Sequence, residues 1–124
     1  MANLRVLIAD DERIIADTLA QILVLSGYRA SAVYTGEQAV AIAAQSSPDV
    51  LISDVVMGGM NGIEAAIAIR RICPQCHVIL FSGQATTMNL LARANSDGNQ
   101  FEILAKPVHP ASILARLNAI TSNG

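Results

Sequence analysis

Aromatic side chains are scarce in this sequence, which has no tryptophan and only two phenylalanines and two tyrosines. Any core must therefore be built from aliphatic side chains and alanine. Hydrophobic residues make up 52% of the 124 positions, which is enough to fill one core. A chain of this length is typical of one domain, and we predict a single domain over residues 1–124.

Long apolar runs and clusters of basic residues are also missing. No apolar stretch approaches the roughly 20 residues of a membrane-spanning helix, and the N-terminus lacks the pattern of a signal peptide. The formal net charge is −2, with no basic run, which disfavours direct contact with nucleic acid or an anionic membrane. We expect a soluble, cytoplasmic protein that contacts neither.

The two cysteines stand close together in the sequence Cys73-Pro74-Gln75-Cys76, and His77 follows them. C-x-x-C-H is typical of haem attachment, and C-x-x-C of redox or zinc sites. Haem attachment requires export, and zinc needs more ligands than these. A thioredoxin-like pair needs a helix that starts at the first cysteine, whereas a helix is predicted to end before it. We interpret the segment as an ordinary helix-to-strand loop.

Strand-like and helix-like segments alternate five times along the chain. Short apolar runs predict strands at 4–9, 29–33, 49–53, 77–81 and 101–105. Periodic apolar positions predict helices at 13–25, 36–45, 63–72, 85–94 and 110–120, with a frayed end at 121–124. This order predicts a doubly wound parallel sheet with helices on both faces.

Local signals support two of these helices. In the first helix, apolar residues follow helical spacing at Ile14, Ile15, Leu19, Ile22 and Leu23. Gly27 is placed to end that helix. Thr35 is placed to cap the second helix, with Gln38 three residues later as in a capping box.

Polar side chains follow four of the predicted strands. They are Asp10 and Asp11 after the first, Asp54 after the third, Ser82 after the fourth and Lys106 after the fifth. Right-handed crossovers bring the carboxyl ends of all the strands to one edge, where doubly wound sheets bind ligands. Three carboxylates there are costly unless a cation neutralises them or one takes up a proton. Hard oxygen ligands suit Mg²⁺, so the sequence predicts a magnesium site.

Lys106 is the only lysine among eight basic residues. A lysine above a carboxylate cluster can pair with one acid or bind an incoming phosphate, and Ser82 supplies a hydroxyl. Taken alone, each has an ordinary alternative, a surface lysine and a turn or N-cap serine. Together with the acids they indicate phosphoryl transfer, with a carboxylate as nucleophile and Mg²⁺, lysine and serine on the phosphoryl oxygens.

Five short motifs resemble, in order, the receiver domain of bacterial two-component response regulators. They are Asp10-Asp11-Glu12, Asp54-x-x-Met57, Met60-x-Gly62, Ser82-Gly83 and Lys106-Pro107. No single motif is specific, but five in this order and on matching elements cover essentially the whole chain. The resemblance implies a flavodoxin-like (βα)5 receiver domain over 1–124 with strand order 2-1-3-4-5. It would be a single-domain form or one domain of a longer protein.

The resemblance also implies roles for the residues at the sheet edge. Asp54 would accept the phosphoryl group, while Ser82 and Lys106 would each contact a phosphoryl oxygen. The implied Mg²⁺ ligands are Asp10, Asp11, Asp54 and the backbone carbonyl of Val56. The Lys106–Pro107 bond resembles the family's cis peptide.

A receiver is a signalling module rather than an enzyme. The donor implied by the resemblance is a sensor histidine kinase or a histidine phosphotransfer protein, and the target is a downstream protein or an output domain. One alternative is a Mg²⁺-dependent aspartyl-phosphate hydrolase using Asp54, for which the chain leaves little room for a substrate pocket. A flavodoxin-like cofactor binder would need a phosphate loop and stacking aromatics. A degenerate receiver is disfavoured by the complete set of site residues.

The loop and the last strand depart from the family pattern. Gly58 and Gly59 stand where proline usually follows the methionine, which predicts a looser loop. Ile103 stands where an aromatic switch residue is usual. Phe101 lies two residues earlier on the same face, an offset that disfavours direct replacement. We therefore expect the surface of helix 85–94, strand 101–105 and helix 110–120 to differ most from the family.

Val56 and Gln84 stand at the two positions that, in the family, flank the phosphoryl group and tune its lifetime. A valine side chain cannot hold a hydrolytic water by hydrogen bonding. We predict slow autodephosphorylation, which a Val56→Asn variant should accelerate.

Overall fold

The structure is a computed structural model that describes residues 4–83, 101–106 and 108–123. The strands are β1 (Arg5–Ala9), β2 (Arg29–Val33), β3 (Val50–Asp54), β4 (His77–Ser82) and β5 (Glu102–Ala105). The helices are α1 (Arg13–Leu25), α2 (Gly36–Gln45), α3 (Gly62–Ile72) and α4 (Pro110–Asn123). The predicted helix 85–94 and the loop after it lie outside the described residues. No helix in the described part is long and apolar enough to cross a bilayer.

The five strands form one parallel sheet in the order β2-β1-β3-β4-β5. This confirms the predicted doubly wound fold and its strand order. In the pairing register, Ile8 of β1 lies between Ala32 of β2 and Ile52 of β3. The strand order reverses between β1 and β3, so the carboxyl ends of these two strands form the switch point where ligands bind.

The sheet separates two aliphatic cores, which explains why β1 and β3 are apolar on both faces. On the side of α2 and α3, the inner strands contribute Leu7, Leu51 and Leu80. On the side of α1 and α4, they contribute Ile8, Ile52 and Ile79. Full burial of each such side chain contributes about 1.5–3 kcal/mol to folding. Aliphatic side chains can therefore supply the core stability without any tryptophan.

Helix α1 buries a narrower face than its sequence predicts. Ala16, Leu19 and Leu23 are buried, as the helical period requires of one face. Ile14 and Ile15 follow the helical spacing of the confirmed helix but are 81% and 43% exposed, so the buried face is narrower than the apolar pattern. Both precede Ala16, the first buried residue of the helix.

The ends of α1 and α2 follow their local signals closely. Gly27 has φ of 99°, and the N–H of Tyr28 donates to the carbonyl of Leu23 at 3.0 Å, which is the Schellman pattern predicted for a glycine here. Thr35 caps α2 by accepting from the N–H of Gln38 at 3.0 Å. The Gln38 side chain accepts from the N–H of Tyr34 rather than of Thr35, so the capping box is shifted by one residue.

Helix α4 continues further than predicted. The expectation of a frayed end from residue 121 is wrong, because the helix runs to Asn123. The hydroxyl of Thr121 donates to the carbonyl of Leu117 at 2.9 Å, an additional bond within the last turns.

The cysteine segment is the predicted helix-to-strand connection. Cys73 follows the last residue of α3, and the N–H of Cys76 donates to its carbonyl at 3.0 Å in a tight turn before β4. Both cysteines are buried and free. Burial raises the pKa of the Cys76 thiol to about 12, so the reactive thiolate is disfavoured at neutral pH.

An ion-pair cluster ties the edge strand β5 to its neighbours. The imidazole Nε2 of His77 lies 2.7 Å from Glu102, and the guanidinium of Arg116 contacts the same carboxylate. Burial alone would raise the pKa of Glu102, but hydrogen bonds from Arg116 and His77 outweigh it and lower the pKa. This cluster lies at the amino-terminal edge of the sheet, opposite the predicted site.

Candidate functional site

Strand pairing brings the predicted acids together. Ala9 pairs with Ser53, so the next residues, Asp10 and Asp54, lie side by side at the carboxyl edge. Asp54 is the last residue of β3 rather than the first after it. These two carboxylates are only 2% and 5% exposed, whereas Asp11 is exposed.

The three carboxylates fit a divalent cation. One oxygen from each of Asp10, Asp11 and Asp54 lies within 4.8 Å of the others. Mg²⁺ binds oxygens at about 2.0–2.1 Å, so ligand oxygens of one ion lie roughly 3–4 Å apart. Oδ2 of Asp10 is buried with no hydrogen-bond partner among the described residues. A bound cation would satisfy this orphaned oxygen.

The pKa of the Asp10 carboxyl is also raised at this site. Burial raises the pKa of its carboxyl, and the charge of Asp54 adds to the rise. The hydrogen bond from the N–H of Glu12 to Oδ1, at 3.0 Å, and the charge of Lys106 act in the opposite direction. The pKa of Asp10 is therefore higher than that of a solvent-exposed aspartate.

Lys106 supplies positive charge at the edge. Its Nζ donates to Oδ2 of Asp54 at 2.8 Å. The aliphatic stem lies against Gly83, where a Cβ would come within 3.3 Å of the Lys106 side chain, so a larger residue would crowd it. Burial alone would lower the pKa of Lys106, but the hydrogen bond and charge of Asp54 outweigh it and raise the pKa. Lys106 is therefore a permanent cation at neutral pH.

The remaining predicted residues lie at the same edge. Ser82 ends β4, is half-buried, and its carbonyl accepts the N–H of Lys106 at 3.1 Å. Val56 is 48% exposed, and its N–H donates to Oδ1 of Asp54 at 3.4 Å. The geometry thus brings to one edge the predicted residues Asp10, Asp11, Asp54, Val56, Ser82 and Lys106. Gln84 and Pro107, and with them the expected cis peptide, lie outside the described residues.

Gly62 fixes the backbone beneath the carboxylate, a role that sequence reasoning missed. A Cβ on Gly62 would overlap the carbonyl oxygen of Asp54 and lie 2.9 Å from Oγ of Ser53. The Ser53 hydroxyl donates to that carbonyl at 2.9 Å. Asn61 and Glu64 then close a capping box at the start of α3. The Asn-x-x-Glu pattern was a visible signal for this box.

An open groove of about 770 Å³ borders the carboxylates. The exposed side chains of Ile14 and Ile15 line the groove, together with Val108 before α4 and Pro110 at its start. The groove therefore has charged side chains at the carboxylates and apolar side chains around them.

The last strand lacks an aromatic side chain beside Lys106, as the sequence shows. Ile103 is partly buried against the core on the side of α2 and α3, and Phe101 is buried in the same core. The guanidinium of Arg70 lies 5.2 Å from the centroid of the Phe101 ring. The predicted common face of these two residues is confirmed, and Phe101 is already packed.

Comparison with known proteins agrees with this architecture. Residues 6–118 match the family described as response regulator receiver domain. The transcriptional regulatory protein YvrH of Bacillus subtilis (strain 168) is 32% identical, over 96% of this chain and 49% of YvrH. The response regulator MprA of Mycobacterium ulcerans (strain Agy99) is 25% identical, over 95% of this chain and 50% of MprA. The chain thus spans about half the length of the curated relatives it matches.

Solved structures show the same fold. The chemotaxis response regulator CheY4 of Vibrio cholerae superposes with a TM-score of 0.81 at 25% identity, covering 96% of this chain and 99% of CheY4. A CheY-like receiver domain from Methanospirillum hungatei JF-1 has a TM-score of 0.87 at 24% identity, covering 98% and 96%, which speaks for the fold alone. Response regulators are signalling proteins that act with histidine kinases and output domains. This chain belongs to the response regulator receiver domain family.

Proposed function

We propose that this receiver accepts a phosphoryl group on Asp54 in a Mg²⁺-dependent reaction and that phosphorylation changes its partner binding. The observation that carries the proposal is the position of the Asp54 carboxylate. It lies 2.8 Å from the Lys106 ammonium and within 4.8 Å of the oxygens of Asp10 and Asp11. A buried carboxylate between a fixed cation and a cation-binding cluster is suited to nucleophilic attack on phosphorus.

The residues divide the reaction among them. An Asp54 oxygen forms the new O–P bond as the P–N bond of a donor phosphohistidine breaks, and the imidazole retains that electron pair. Mg²⁺, held by the three aspartates and the Val56 carbonyl, would neutralise the approaching charges. Lys106 can transfer its hydrogen bond from Asp54 to a phosphoryl oxygen, and Ser82 is placed to contact another.

The donor and target follow from the family. A sensor histidine kinase or a histidine phosphotransfer protein would supply the phosphoryl group in the cytoplasm. A donor protein must cover the groove to reach Asp54, and the exposed Ile14 and Ile15 offer it an apolar surface. A downstream protein or output domain would read the phosphorylated form.

Incubation with an acyl phosphate and Mg²⁺ tests the site. We expect one phosphoryl group by intact-mass spectrometry in the wild type, and none in Asp54→Asn or after chelation of Mg²⁺. Asp49→Asn is the matched control, because its carboxylate accepts the N–H of Arg5 at the opposite edge and should not affect labelling. Labelling that persists in Asp54→Asn would refute the assignment, and turnover of phosphate monoesters by the wild type would favour the hydrolase.

A further inference from the structure

In the loop between β3 and α3, Val55 and Met57 are buried, but the two glycines that follow have no side chains to order them. Residues 55–61 form this loop and include Gly58 and Gly59. Gly59 has φ of 76°, a conformation that glycine adopts without strain. A Cβ on Gly58 would meet no atom within 4 Å. The glycine pair therefore depends on contacts from elsewhere in the chain.

Glu37, in the first turn of α2, provides such a contact. Its Oε2 accepts a hydrogen bond from the N–H of Met60 at 3.3 Å. The same oxygen lies 3.1 Å from the place of a Cβ on Gly59, so the carboxylate covers that glycine. The preceding residue, Gly36, also abuts the loop, since a Cβ there would lie 2.9 Å from the carbonyl oxygen of Met60. Two consecutive residues of α2 thus meet the loop.

We propose that Glu37 is a positioning residue for the phosphorylation site, acting through the glycine-rich loop to keep Val56 beside Asp54. The inference rests on the proposed function, because it gives Glu37 an influence on metal binding and phosphoryl transfer. The bond from the N–H of Val56 to Asp54, at 3.4 Å, is about as long as the Glu37 bond, so each alone is a weak restraint and the two act on the loop together. The Glu37 carboxylate supplies from another helix the restraint that a proline after Met57 would supply locally.

A simpler role for Glu37 is stabilisation of α2, because an acid in the first turn interacts favourably with the helix dipole. The two roles differ in what they require and in what they affect. The dipole role requires negative charge and affects folding stability alone. The positioning role requires an acceptor oxygen for Met60 and affects Mg²⁺ binding.

Isothermal titration of Mg²⁺ into the unphosphorylated protein separates the two roles. Glu37→Ala removes charge and acceptor, and we expect the Mg²⁺ dissociation constant to rise about threefold to tenfold. Glu37→Gln keeps an acceptor oxygen and should retain most of the affinity. An equal rise in both variants would show a charge effect and overturn the proposal, as would no rise in either.

A second substitution tests whether loop order is the cause. Gly58→Pro restricts the loop covalently at a position with open space and no positive φ. In the Glu37→Ala background it should recover most of the lost Mg²⁺ affinity, and failure to recover would contradict the proposal. Asp49→Ala removes another carboxylate bonded to a backbone N–H, at the opposite edge. It should leave Mg²⁺ affinity unchanged, and a loss equal to that of Glu37→Ala would also count against the role.

Phosphorylation by an acyl phosphate distinguishes failure of this inference from failure of the proposed function. If the wild type is labelled at Asp54 and the Glu37 variants match it in rate and in Mg²⁺ affinity, the positioning role alone fails. If the wild type is not labelled but Mg²⁺ affinity changes as expected, the proposed function fails and the positioning of the metal site stands.

Discussion

Asp10 is a single residue at which burial and the neighbouring charge of Asp54 both oppose ionisation. Its folded-state pKa is raised above the ordinary value of 3.8, chiefly by burial. The folded protein therefore holds a proton on Asp10 in a pH range where the unfolded chain has already lost it. Stability from this group is present below pH 3.8 and falls as the pH rises through the folded pKa.

Replacement of this carboxyl with an amide should remove the conflict. Asp10→Asn keeps an oxygen to accept the N–H of Glu12 and removes the buried charge. Without Mg²⁺ at pH 7, we expect the variant to be more stable than the wild type by roughly 1 kcal/mol. Urea unfolding at several pH values should show the stability difference between variant and wild type shrinking as the pH falls towards 3.8. A separate titration should show reduced Mg²⁺ affinity, because one carboxylate ligand is lost. A variant that is less stable than the wild type at pH 7 would rule out this account.

At the proposed phosphorylation site, α3 begins directly against the end of β3. The first residue of α3, Gly62, packs against the backbone of Asp54, and its N–H donates to the carbonyl of Val55 at 2.8 Å. The capping box of Asn61 and Glu64 sets where the helix begins. The start of α3 therefore limits where the backbone of Asp54 can lie at the sheet edge.

A methyl group at this contact should disturb both elements. In Gly62→Ala, the new Cβ would overlap the carbonyl oxygen of Asp54, so the end of β3 or the start of α3 must shift. We expect a loss of roughly 1–3 kcal/mol in unfolding free energy, together with slower labelling by an acyl phosphate. Gly58→Ala, with open space around its Cβ, is the matched control and should unfold within about 0.5 kcal/mol of the wild type. Equal stability of the two variants would contradict the close contact.

Across the whole molecule, the two edges of the sheet carry charge differently. At the amino-terminal edge, Glu102 is paired with His77 and Arg116. At the carboxyl edge, Lys106 is the one described cation in an ion pair with the carboxylate cluster, so negative charge exceeds positive charge. Folding without a metal therefore concentrates unpaired negative charge at one edge.

Mg²⁺ should accordingly stabilise the entire fold. At about 100 times its dissociation constant, a ligand specific for the folded state adds roughly 2.7 kcal/mol, or roughly 10 °C in Tm for a domain of this size. Differential scanning calorimetry with Mg²⁺, with chelator, and with NaCl at equal ionic strength should show this shift for Mg²⁺ alone. An equal shift with NaCl would indicate general screening instead of a site.

The sheet and the meeting of the site residues could be predicted because topology rules act on the whole chain. Strand alternation and crossover handedness are sufficient to bring Asp10, Asp54 and Lys106 to one edge. The exposure of Ile14 could not be predicted, because an apolar residue at helical spacing is expected to be buried and the sequence does not show where the helix extends past the sheet. Glu37 contacts Met60 across 23 positions of sequence through the conformation of a loop, which no local pattern encodes.

The aliphatic core has a practical consequence for observing this protein. Because no residue is a tryptophan, a single introduced indole would be the only one in the chain. Val56 is half exposed, directly beside the Asp54 carboxylate, and lies on the loop that Glu37 contacts. Val56→Trp would therefore place a lone fluorophore where cation entry, phosphoryl transfer and loop motion all alter its surroundings.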